Sequence, residues 1–236
     1  MSATIALRRW VKSRRHPLAD LAYRAALGAR GFSLPVVPVL HRALYGGFLA
    51  TRSGLAGAAR VFWWTPLLQS RLTAPAPRLY LYGGLPLIIG PVAMRMGADC
   101  RMSGQTTISG RSAGAKTPEL TVGSNCDIGW QTTLAVGRRI IIGDNVRIAG
   151  RALLAGYPGH PLDSTARAAG LPDTEDQVAD IVLEDDVWLA TGVTVSAGVT
   201  IGKGTVVAAG SVVTRDLPPG VLAAGAPARV IRSIEG

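Results

Sequence analysis

Residues 183–213 read LEDDVW, LATGVT, VSAGVT, IGKGTV, VAAGSV and V when they are divided into groups of six. Every group begins with an aliphatic residue, and glycine recurs at the same interval, at Gly192, Gly198, Gly204 and Gly210. Neither the period of a half-buried strand nor that of an amphipathic helix produces this pattern. A repeat of six is typical of a parallel β-helix, in which each flat side takes six residues and three sides make one coil.

The repeated aliphatic residue is expected at each corner of the coil, where it points into a narrow interior and stacks on its equivalent one coil away. Small residues beside it allow the backbone to turn without crowding. Less regular groups of six precede this stretch from residue 88, with a loop at Ser112–Pro118 and a shift of frame near Ile140–Ile142. Together they predict roughly six to seven coils.

Residues 156–181 interrupt the repeat, because they contain three prolines and have no six-residue register. A loop of this length that leaves a regular solenoid is more often functional than structural. It also contains His160, the only histidine after His41. The tail that follows Pro218-Pro219 is expected to close the open end of the solenoid as a C-terminal cap.

The first 78 residues carry the basic character of a chain whose formal charge is +10. They hold twelve Arg or Lys residues against one acidic residue, Asp20, whereas the remainder holds thirteen against fourteen. Apolar positions at helical spacing predict helices over residues 1–30. A basic amphipathic helix is typical of segments that lie in a membrane interface, with their cations among lipid phosphates. A helix that packs on the coil and merely solvates its arginines is the alternative.

The aromatic cluster Phe62-Trp63-Trp64 belongs to the same region. Aromatic residues are enriched both at lipid headgroup boundaries and in subunit contacts, so the cluster does not choose between them. Residues 1–78 are therefore interpreted as a basic amphipathic helical extension that associates with an anionic membrane surface or with a trimer. Nucleic acid is disfavoured as a partner, because the cations lie among apolar and proline-rich segments without a groove-reading motif.

Cysteine usage and hydropathy bear on the compartment. The only cysteines, Cys100 and Cys126, suggest no disulfide framework and favour a reducing compartment, where they serve as small apolar fillers. The start of the chain lacks the compact apolar run of a signal peptide. The longest apolar region, Gly31–Ala50, is interrupted by prolines and by a charge. These features predict a cytoplasmic protein that is peripheral on the inner face of the cell membrane.

Four segments of the chain resemble one family. They are GHPLD at 159–163, DVWL at 186–189, GSVVTRDLPP at 210–219 and GAPARVIR at 225–232. They resemble the hexapeptide-repeat O-acetyltransferases, and most closely the maltose, galactoside and nodulation-factor group. The resemblance covers about residues 88–232 and leaves the N-terminal extension uncovered. An extension of this kind is more like the polysaccharide-modifying relatives.

The resemblance implies a mainly β fold: a left-handed parallel β-helix preceded by an N-terminal helical extension. The domains would be the extension at residues 1–78 and an acyltransferase domain at residues 79–236, with an active-site loop at 156–181 and a C-terminal cap. It also implies a homotrimer with active sites between neighbouring subunits and acetyl-CoA as the donor co-substrate. No metal is expected.

The resemblance also implies roles for single residues, with His160 at the position of the catalytic histidine. The positions that match the surroundings of the donor are Trp188, Thr191, Ala209, Thr214, Arg215, Arg229 and Arg232. The acceptor-binding Asn of the family has no counterpart in residues 128–139. Gln131 and Trp130 are the candidates that replace it, as an amide and as a face for stacking on a sugar. Asp163 is a further candidate for binding the substrate.

These residue types suit acyl transfer. An imidazole accepts a proton near neutral pH, as the activation of an attacking hydroxyl requires. Its other ring nitrogen needs a carbonyl or carboxylate partner, and Asp163, Glu175 and Asp176 are all near in sequence. Backbone N–H groups at the coil turns would hold the developing oxyanion. Arginine suits the phosphates of CoA, because its charge is permanent and its geometry is bidentate.

The sequence therefore predicts an acetyl-CoA-dependent O-acetyltransferase that acts by direct transfer on a sugar hydroxyl of a glycan or lipid-linked glycan precursor. An amino-sugar N-acetyltransferase and a serine acetyltransferase-like enzyme stay open. So does a function of another class, a non-catalytic trimeric scaffold anchored to the membrane. A zinc hydratase of this fold is disfavoured, because it needs three histidines and the coil contains only His160.

Overall fold

The computed structural model describes residues 3–234 and divides the chain into two compact units, residues 1–51 and residues 52–236. The α-helices, numbered in chain order, are α1 (Ala3–Ser13), α2 (Pro17–Gly31), α3 (Pro38–Ala59), α4 (Thr65–Gln69) and α5 (Ser164–Ala168). A π-helical turn, Arg60–Trp64, joins α3 to α4. No helix within residues 3–234 combines the length and the apolar character that crossing a bilayer requires.

The first unit begins with two helices that pack on each other, α1 and α2. His16 caps α2, since its Nδ1 accepts a hydrogen bond from the amide of Leu18 at 3.2 Å. Asp20, in the first turn of α2, pairs with Arg14 at 2.6 Å and with Arg24 at 2.8 Å. The hydrogen bond from Arg14 holds the pKa of Asp20 below its ordinary value. The helices predicted for residues 1–30 are therefore confirmed over α1 and α2.

The second unit is built from short strands, of which nineteen lie within the described residues. In chain order they are β1 (Tyr80–Tyr82), β2 (Leu87–Ile89), β3 (Ala93–Met96), β4 (Arg101–Ser103), β5 (Thr107–Gly110), β6 (Glu119–Val122), β7 (Asp127–Ile128), β8 (Thr133–Val136), β9 (Arg139–Ile142), β10 (Arg147–Ile148), β11 (Leu153–Ala155), β12 (Ile181–Leu183), β13 (Trp188–Leu189), β14 (Thr194–Ser196), β15 (Thr200–Ile201), β16 (Val206–Val207), β17 (Val212–Val213), β18 (Val221–Gly225) and β19 (Ala228–Ser233). Sheet 1 has the order β1-β4-β7-β10-β13-β16-β18-β19, sheet 2 has β17-β14-β11-β8-β5-β2, and sheet 3 has β15-β12-β9-β6-β3.

Successive strands enter sheets 1, 2 and 3 in turn, so each strand from β1 to β14 pairs in parallel with the strand three places later. Leu134, Leu154 and Val195 occupy equivalent register positions in sheet 2 and are fully buried. The result is a triangular coil of parallel strands around a continuous aliphatic core. Sheet 2 has six strands, one for each coil, which lies within the predicted number. The mainly β fold with parallel sheets and N-terminal helices is confirmed.

The repeated aliphatic residues lie in the strands and not at the corners. Leu189, Val195 and Ile201 belong to β13, β14 and β15 and are fully buried. The corners are formed by short turns such as Thr191-Gly192, where Gly192 has a φ of +74°. The expectation that placed the aliphatic residue at each corner is therefore wrong. A left-handed turn residue disfavours bulky and β-branched side chains, whereas an extended residue can point its side chain into the core.

One line of corners, between sheets 3 and 1, carries a ladder of polar side chains. Asn125 Nδ2 donates a hydrogen bond to Asn145 Oδ1 at 2.8 Å, and Asn145 Nδ2 donates one to Asp186 Oδ1 at 3.0 Å. These three residues have φ values of 54°, 59° and 63°. Asn and Asp tolerate this left-handed conformation better than other residues with a side chain. The ladder therefore links neighbouring coils on the outside while the core links them within.

Further segments of the second unit adjoin both ends of the coil. Leu68 and Ala76 are buried in the same core as the strands, and Gln69 exchanges two hydrogen bonds with Ala76. Because of these contacts, residues 52–78 fall in the unit of the coil, although the sequence groups them with the extension. At the other end, β18 continues sheet 1 in parallel and β19 returns antiparallel to it.

Candidate active site

The outside of the coil has three edges, each formed by the turns that connect two sheets. Edge 1–2 consists of the turns from sheet 1 to sheet 2, and edge 2–3 consists of the turns from sheet 2 to sheet 3. Edge 3–1 carries the polar ladder. The predicted site residues before β18 all lie on edge 1–2, on edge 2–3 or on the outer face of sheet 1.

Four predicted residues share edge 1–2. Trp130 and Gln131 follow β7, Thr191 follows β13, and Ala209 follows β16. The amide of Gly210 donates a hydrogen bond to the carbonyl of Thr191 at 2.9 Å, which fixes the register of the last two turns. Because stacked strands are about 4.8 Å apart, the acceptor candidates and two donor candidates follow one line along the coil.

The indole of Trp130 lies against the next turn of edge 1–2. A Cβ at Gly150 would come within 2.6 Å of the indole Nε1, so only glycine leaves room for the ring. The guanidinium of Arg151 lies 5.6 Å from the ring centroid, and Trp130 keeps 46% of its surface exposed. Gln131, beside it, is also exposed. This corner presents an aromatic ring, an amide and a cation to solvent, which together can stack on a sugar and hydrogen-bond to it.

Trp188 lies on the outer face of sheet 1, directly before edge 1–2, and is 50% exposed. The register places Arg147 on one side of it and Val206 on the other. The same row continues through Leu222 to Arg232. Two predicted donor contacts, Trp188 and Arg232, therefore share a row and are about 14 Å apart, at three strand spacings. An aromatic ring, two aliphatic side chains and a cation in one row suit a long ligand that ends in phosphate.

The loop that contains His160 leaves the coil at edge 2–3, after β11, and returns at β12. On one side of the histidine, the amide of Gly159 donates a hydrogen bond to Asp173 Oδ2 at 3.0 Å. On the other side, Arg167 Nη1 donates a hydrogen bond to the carbonyl of Pro161 at 2.9 Å. The backbone is therefore held before and after His160, whose side chain is exposed.

Asp173 is itself held by Arg111, which follows β5 on the same edge. Arg111 Nε donates to Asp173 Oδ1 at 2.5 Å, and Nη2 donates to the Asp173 carbonyl at 3.0 Å. Nη1 donates to Glu175 Oε1 at 2.6 Å. The side chains of Arg111 and Asp173 are only 5% and 3% exposed. The bond to Glu175, together with that to Asp173, outweighs burial and raises the pKa of Arg111 above its ordinary value, so the guanidinium stays charged.

The imidazole of His160 has no hydrogen bond or ion pair with any residue in the described range 3–234. The sequence offers three carboxylates as possible partners of the imidazole, and none of them binds it in the structure. Asp163 Oδ1 accepts a hydrogen bond from the first turn of α5 at 2.7 Å and so caps that helix. Glu175 binds Arg111, and Asp176 borders an open cavity of about 380 Å³. Within one chain, the described residues therefore provide no polar partner that orients the ring of His160.

The remaining donor candidates are exposed side chains near the C-terminal end of the coil. Thr214 and Arg215 follow β17 on edge 2–3, and Arg229 lies in β19, where its Nη1 donates to the carbonyl of Ala228 at 2.8 Å. Among the described residues, none of Arg215, Arg229 and Arg232 has an acidic partner. These guanidinium groups are therefore available to bind phosphate.

One chain does not bring all the predicted residues together. His160 and Asp163 belong to edge 2–3, whereas Trp130, Gln131 and Thr191 belong to edge 1–2. Sheet 2 separates the two edges, and a side of six residues spans roughly 15–20 Å. The candidate base and most of the donor and acceptor candidates therefore occupy different edges of the same coil.

The cysteines and the other potential metal ligands are the remaining candidates within residues 3–234. Cys100 and Cys126 are buried in the core and unpaired, as their predicted role of apolar filler requires. Within residues 3–234, no group of three His, Cys, Asp or Glu side chains is arranged to hold a metal ion.

Four residues of the site carry no signal in the repeat. Arg111 and Asp173 hold the loop before His160, and Arg167 holds it after His160. The fourth residue, Arg151, contacts the ring of Trp130. The available hints were positional: Arg111 lies between β5 and the Ser112–Pro118 loop, and Arg151 lies twenty residues after Gln131.

Comparison with known proteins gives a family model that matches part of the chain. Residues 180–215 match the bacterial transferase hexapeptide, a model of six repeats. The chain is also similar to galactoside O-acetyltransferase of Escherichia coli, with 39% identity over 113 residues, which is 48% of this chain and 53% of that enzyme. The chain thus spans about half the length of this curated relative.

Two solved structures align with part of the chain at low sequence identity. A maltose O-acetyltransferase from Clostridium difficile aligns at 24% identity over 72% of this chain and 74% of that one, with a TM-score of 0.44. A variant of an N-acyltransferase from Bacillus cereus, solved in complex with dTDP and coenzyme A, aligns at 18% identity over 65% of this chain and 86% of that one, with a TM-score of 0.49.

Proposed function

We propose that this chain, which belongs to the hexapeptide-repeat transferase family, is an acetyl-CoA-dependent O-acetyltransferase that acetylates a sugar hydroxyl of a glycan or lipid-linked glycan precursor. The observation that carries the proposal is the anchored loop on edge 2–3. It presents the exposed imidazole of His160 from a backbone that is held on both sides. A base on a rigid support suits transfer between two bound substrates, because orientation supplies much of the rate.

The proposed assembly is a homotrimer of left-handed coils, as the family resemblance implies. The separation of His160 from Thr191 and Trp188 on one coil supports a site that two copies complete. Edge 2–3 of one subunit would face edge 1–2 and sheet 1 of its neighbour. His160 of one copy would then meet the donor and acceptor groups of the next.

The proposed reaction is a direct transfer in a ternary complex. The imidazole of His160 takes the proton of the acceptor hydroxyl while the hydroxyl oxygen bonds to the thioester carbonyl carbon. The carbonyl electrons move onto oxygen, and backbone N–H groups at a coil turn stabilise that oxyanion. Collapse of the intermediate re-forms the carbonyl and breaks the C–S bond. The departing CoA thiolate takes the proton from the imidazolium.

Donor binding is assigned to the outer face of sheet 1 and to the C-terminal end of the coil. The exposed guanidinium groups there, which have no acidic partner among residues 3–234, suit the phosphates of CoA. Small side chains on edge 1–2 leave room for the pantetheine arm. The residues proposed to hold acetyl-CoA are Trp188, Thr191, Ala209, Thr214, Arg215, Arg229 and Arg232.

Acceptor binding is assigned to Trp130 and Gln131, with Asp163 reached from the neighbouring copy. The half-exposed indole offers a stacking face, and the exposed amide offers both a donor and an acceptor. Asp163 has one oxygen in the cap of α5, which leaves Oδ2 for a sugar hydroxyl.

Residues 1–78 are proposed to bring the enzyme to the anionic inner face of the cell membrane. Large apolar side chains are exposed there to an unusual degree, with Val39 81%, Phe62 79%, Phe32 76% and Trp63 66% accessible. Residues 1–78 also carry twelve cationic side chains against one acidic one. Apolar side chains that insert and cations that pair with lipid phosphates act together at such a surface.

Release of free thiol from acetyl-CoA by the full chain tests the function. Nucleotide sugars, simple glycosides, lipid-linked glycans and amino sugars serve as acceptors, and mass spectrometry with alkaline hydrolysis identifies an ester. Alkali-labile acetylation of a sugar is expected. Acetylation of amines alone would replace the proposal with N-acetyl transfer. A chain that neither binds acetyl-CoA nor turns it over would favour the non-catalytic scaffold.

A further inference from the structure

We propose that Arg111 and Asp173 are positioning residues that set the backbone of the loop immediately before His160. The inference rests on the proposed function, in which His160 is the base. Arg111 belongs to the second coil and Asp173 to the loop that leaves the fourth, so the pair ties the loop to a rigid part of the core.

The geometry uses both oxygens of the Asp173 carboxylate. Oδ1 accepts from Arg111 Nε at 2.5 Å, and Oδ2 accepts from the amide of Gly159 at 3.0 Å. Gly159 has a φ of +81°, a conformation that residues with side chains rarely adopt. The chain therefore turns sharply one residue before His160, and the Asp173 carboxylate fixes the turn.

Burial distinguishes this pair from the other ion pairs of the coil. The side chains of Arg111 and Asp173 are 5% and 3% exposed. Asp180, at the end of the same loop, pairs with Arg139 of β9, and these side chains are 23% and 52% exposed. A buried ion pair contributes little net stability compared with apolar residues of the same shape. The pair instead orients the Asp173 carboxylate, because a guanidinium fork and a carboxylate fix each other's orientation.

The loop is held after His160 as well, so loss of Asp173 releases one anchor and not both. Arg167 Nη1 still binds the carbonyls of Pro161 and Leu162, at 2.9 Å and 2.8 Å. The expected result is a misplaced imidazole on a folded coil. A displacement of about 1 Å in a catalytic group can lower a rate on the order of 100-fold. The KM values for acetyl-CoA and for the acceptor should change much less than kcat, because most of their proposed contacts lie outside the loop and Asp163 follows the anchor at Arg167, which the variant keeps.

The test compares full-length wild type with Asp173→Asn, Arg111→Lys and the matched control Arg139→Ala. Asp173→Asn keeps the volume of the side chain and removes its charge, while Arg111→Lys keeps the charge and removes the fork. Three measurements are made on each protein: the kinetics of acetyl transfer, which give kcat and KM, the melting temperature, and hydrogen exchange at the Gly159 amide. The exchange measurement needs no substrate.

The expected result for Asp173→Asn is a kcat about 10- to 100-fold lower at similar KM, with loss of protection at Gly159. The kcat of Arg111→Lys should fall between those of Asp173→Asn and wild type. The kcat of Arg139→Ala should match that of wild type. Unchanged protection at Gly159, or equal losses of kcat in Asp173→Asn and Arg139→Ala, would overturn the inference. Absence of acetyl transfer by wild type would instead overturn the proposed function, and the exchange result would still show whether Asp173 holds the turn.

Discussion

The guanidinium of Arg151 lies 5.6 Å from the ring centroid of Trp130, on adjacent turns of edge 1–2. Gly150 makes the contact possible, because a side chain there would collide with the indole. The pair occupies the edge where Gln131 is proposed to take the place of the family's acceptor-binding amide. A ring fixed against the coil and half exposed is prepared to receive a ligand without further ordering, which lowers the entropic cost of binding.

Trp130→Ala should therefore weaken acceptor binding and leave the donor untouched. We expect the KM for the acceptor to rise about five- to tenfold, with kcat and the KM for acetyl-CoA nearly unchanged, because a contact made equally in ground and transition states acts on KM. Steady-state kinetics with both substrates varied checks this. Trp188→Ala is the matched control, since it should raise the KM for acetyl-CoA instead. A reversed pattern would exchange the roles of the two tryptophans.

Ile201→Ala should destabilise the coil. Ile201 is fully buried in β15, where it is paired in register with Leu183 on one side and with Leu217 on the other. Its truncation leaves a cavity between these two neighbours. The free energy of unfolding should fall by about 2–5 kcal/mol in urea denaturation. Val206→Ala, which removes a half-buried side chain from the outer face of sheet 1, should cost about 1 kcal/mol or less. Equal losses in the two variants would contradict the assignment of inner and outer faces.

The ion pair between Asp99 and Arg78 should make the stability of the fold depend on pH in the acidic range. Two hydrogen bonds of 2.5 Å and 2.6 Å join the groups, and the bonds from Arg78 hold the pKa of Asp99 below its ordinary value. A carboxyl with a lowered pKa in the folded state stabilises above its unfolded pKa of about 3.9, and this contribution is lost as the pH falls through the folded pKa.

Asp99→Asn keeps a residue that tolerates the left-handed φ of +61° and removes the charge. Wild type should therefore melt higher than Asp99→Asn at pH 7 and low salt, and the two melting temperatures should converge toward pH 2. The gap should also narrow in high salt, since both side chains are substantially exposed. A gap that stays constant from pH 7 to pH 2 would show that the charge contributes nothing.

Phe62→Ser combined with Trp63→Ser should reduce binding to anionic vesicles. Both side chains are more than half exposed, and insertion of apolar side chains is the part of the interaction that salt does not screen. Vesicle flotation of the full chain at low and high salt measures it. Ile231→Ser, which removes an exposed apolar side chain from β19, is the control and should bind like wild type. Failure of wild type to bind anionic vesicles at low salt would contradict the membrane proposal.

The coil was predictable because each of its constraints is local. One buried aliphatic residue and one turn recur every six residues, so residues 183–213 state the fold several times over. The helices over residues 3–31 were predictable for the same reason, since their apolar positions recur at helical spacing. The corner assignment failed because a six-residue period gives the spacing of inward residues but not their phase relative to the turns.

The anchors of the site were not predictable, because they join residues that no period relates. Arg111 and Asp173 are 62 residues apart, and their meeting depends on how a loop without a repeat returns to the coil. Asp163 looked like a binding or orienting carboxylate, yet its Oδ1 caps a helix of five residues that the repeat does not reveal. Local requirements therefore located the candidate base, while long-range packing decided what holds it.

The most direct test of the central claim is the rate of acetyl-CoA-dependent thiol release by wild type and by His160→Gln, with acetyl-CoA binding measured beside it by calorimetry. The rate should be about 10²- to 10⁴-fold lower in the variant, as loss of a general base entails, with an unchanged dissociation constant for acetyl-CoA. A variant that binds acetyl-CoA and releases thiol within twofold of the wild-type rate would contradict the assignment of His160 as the base.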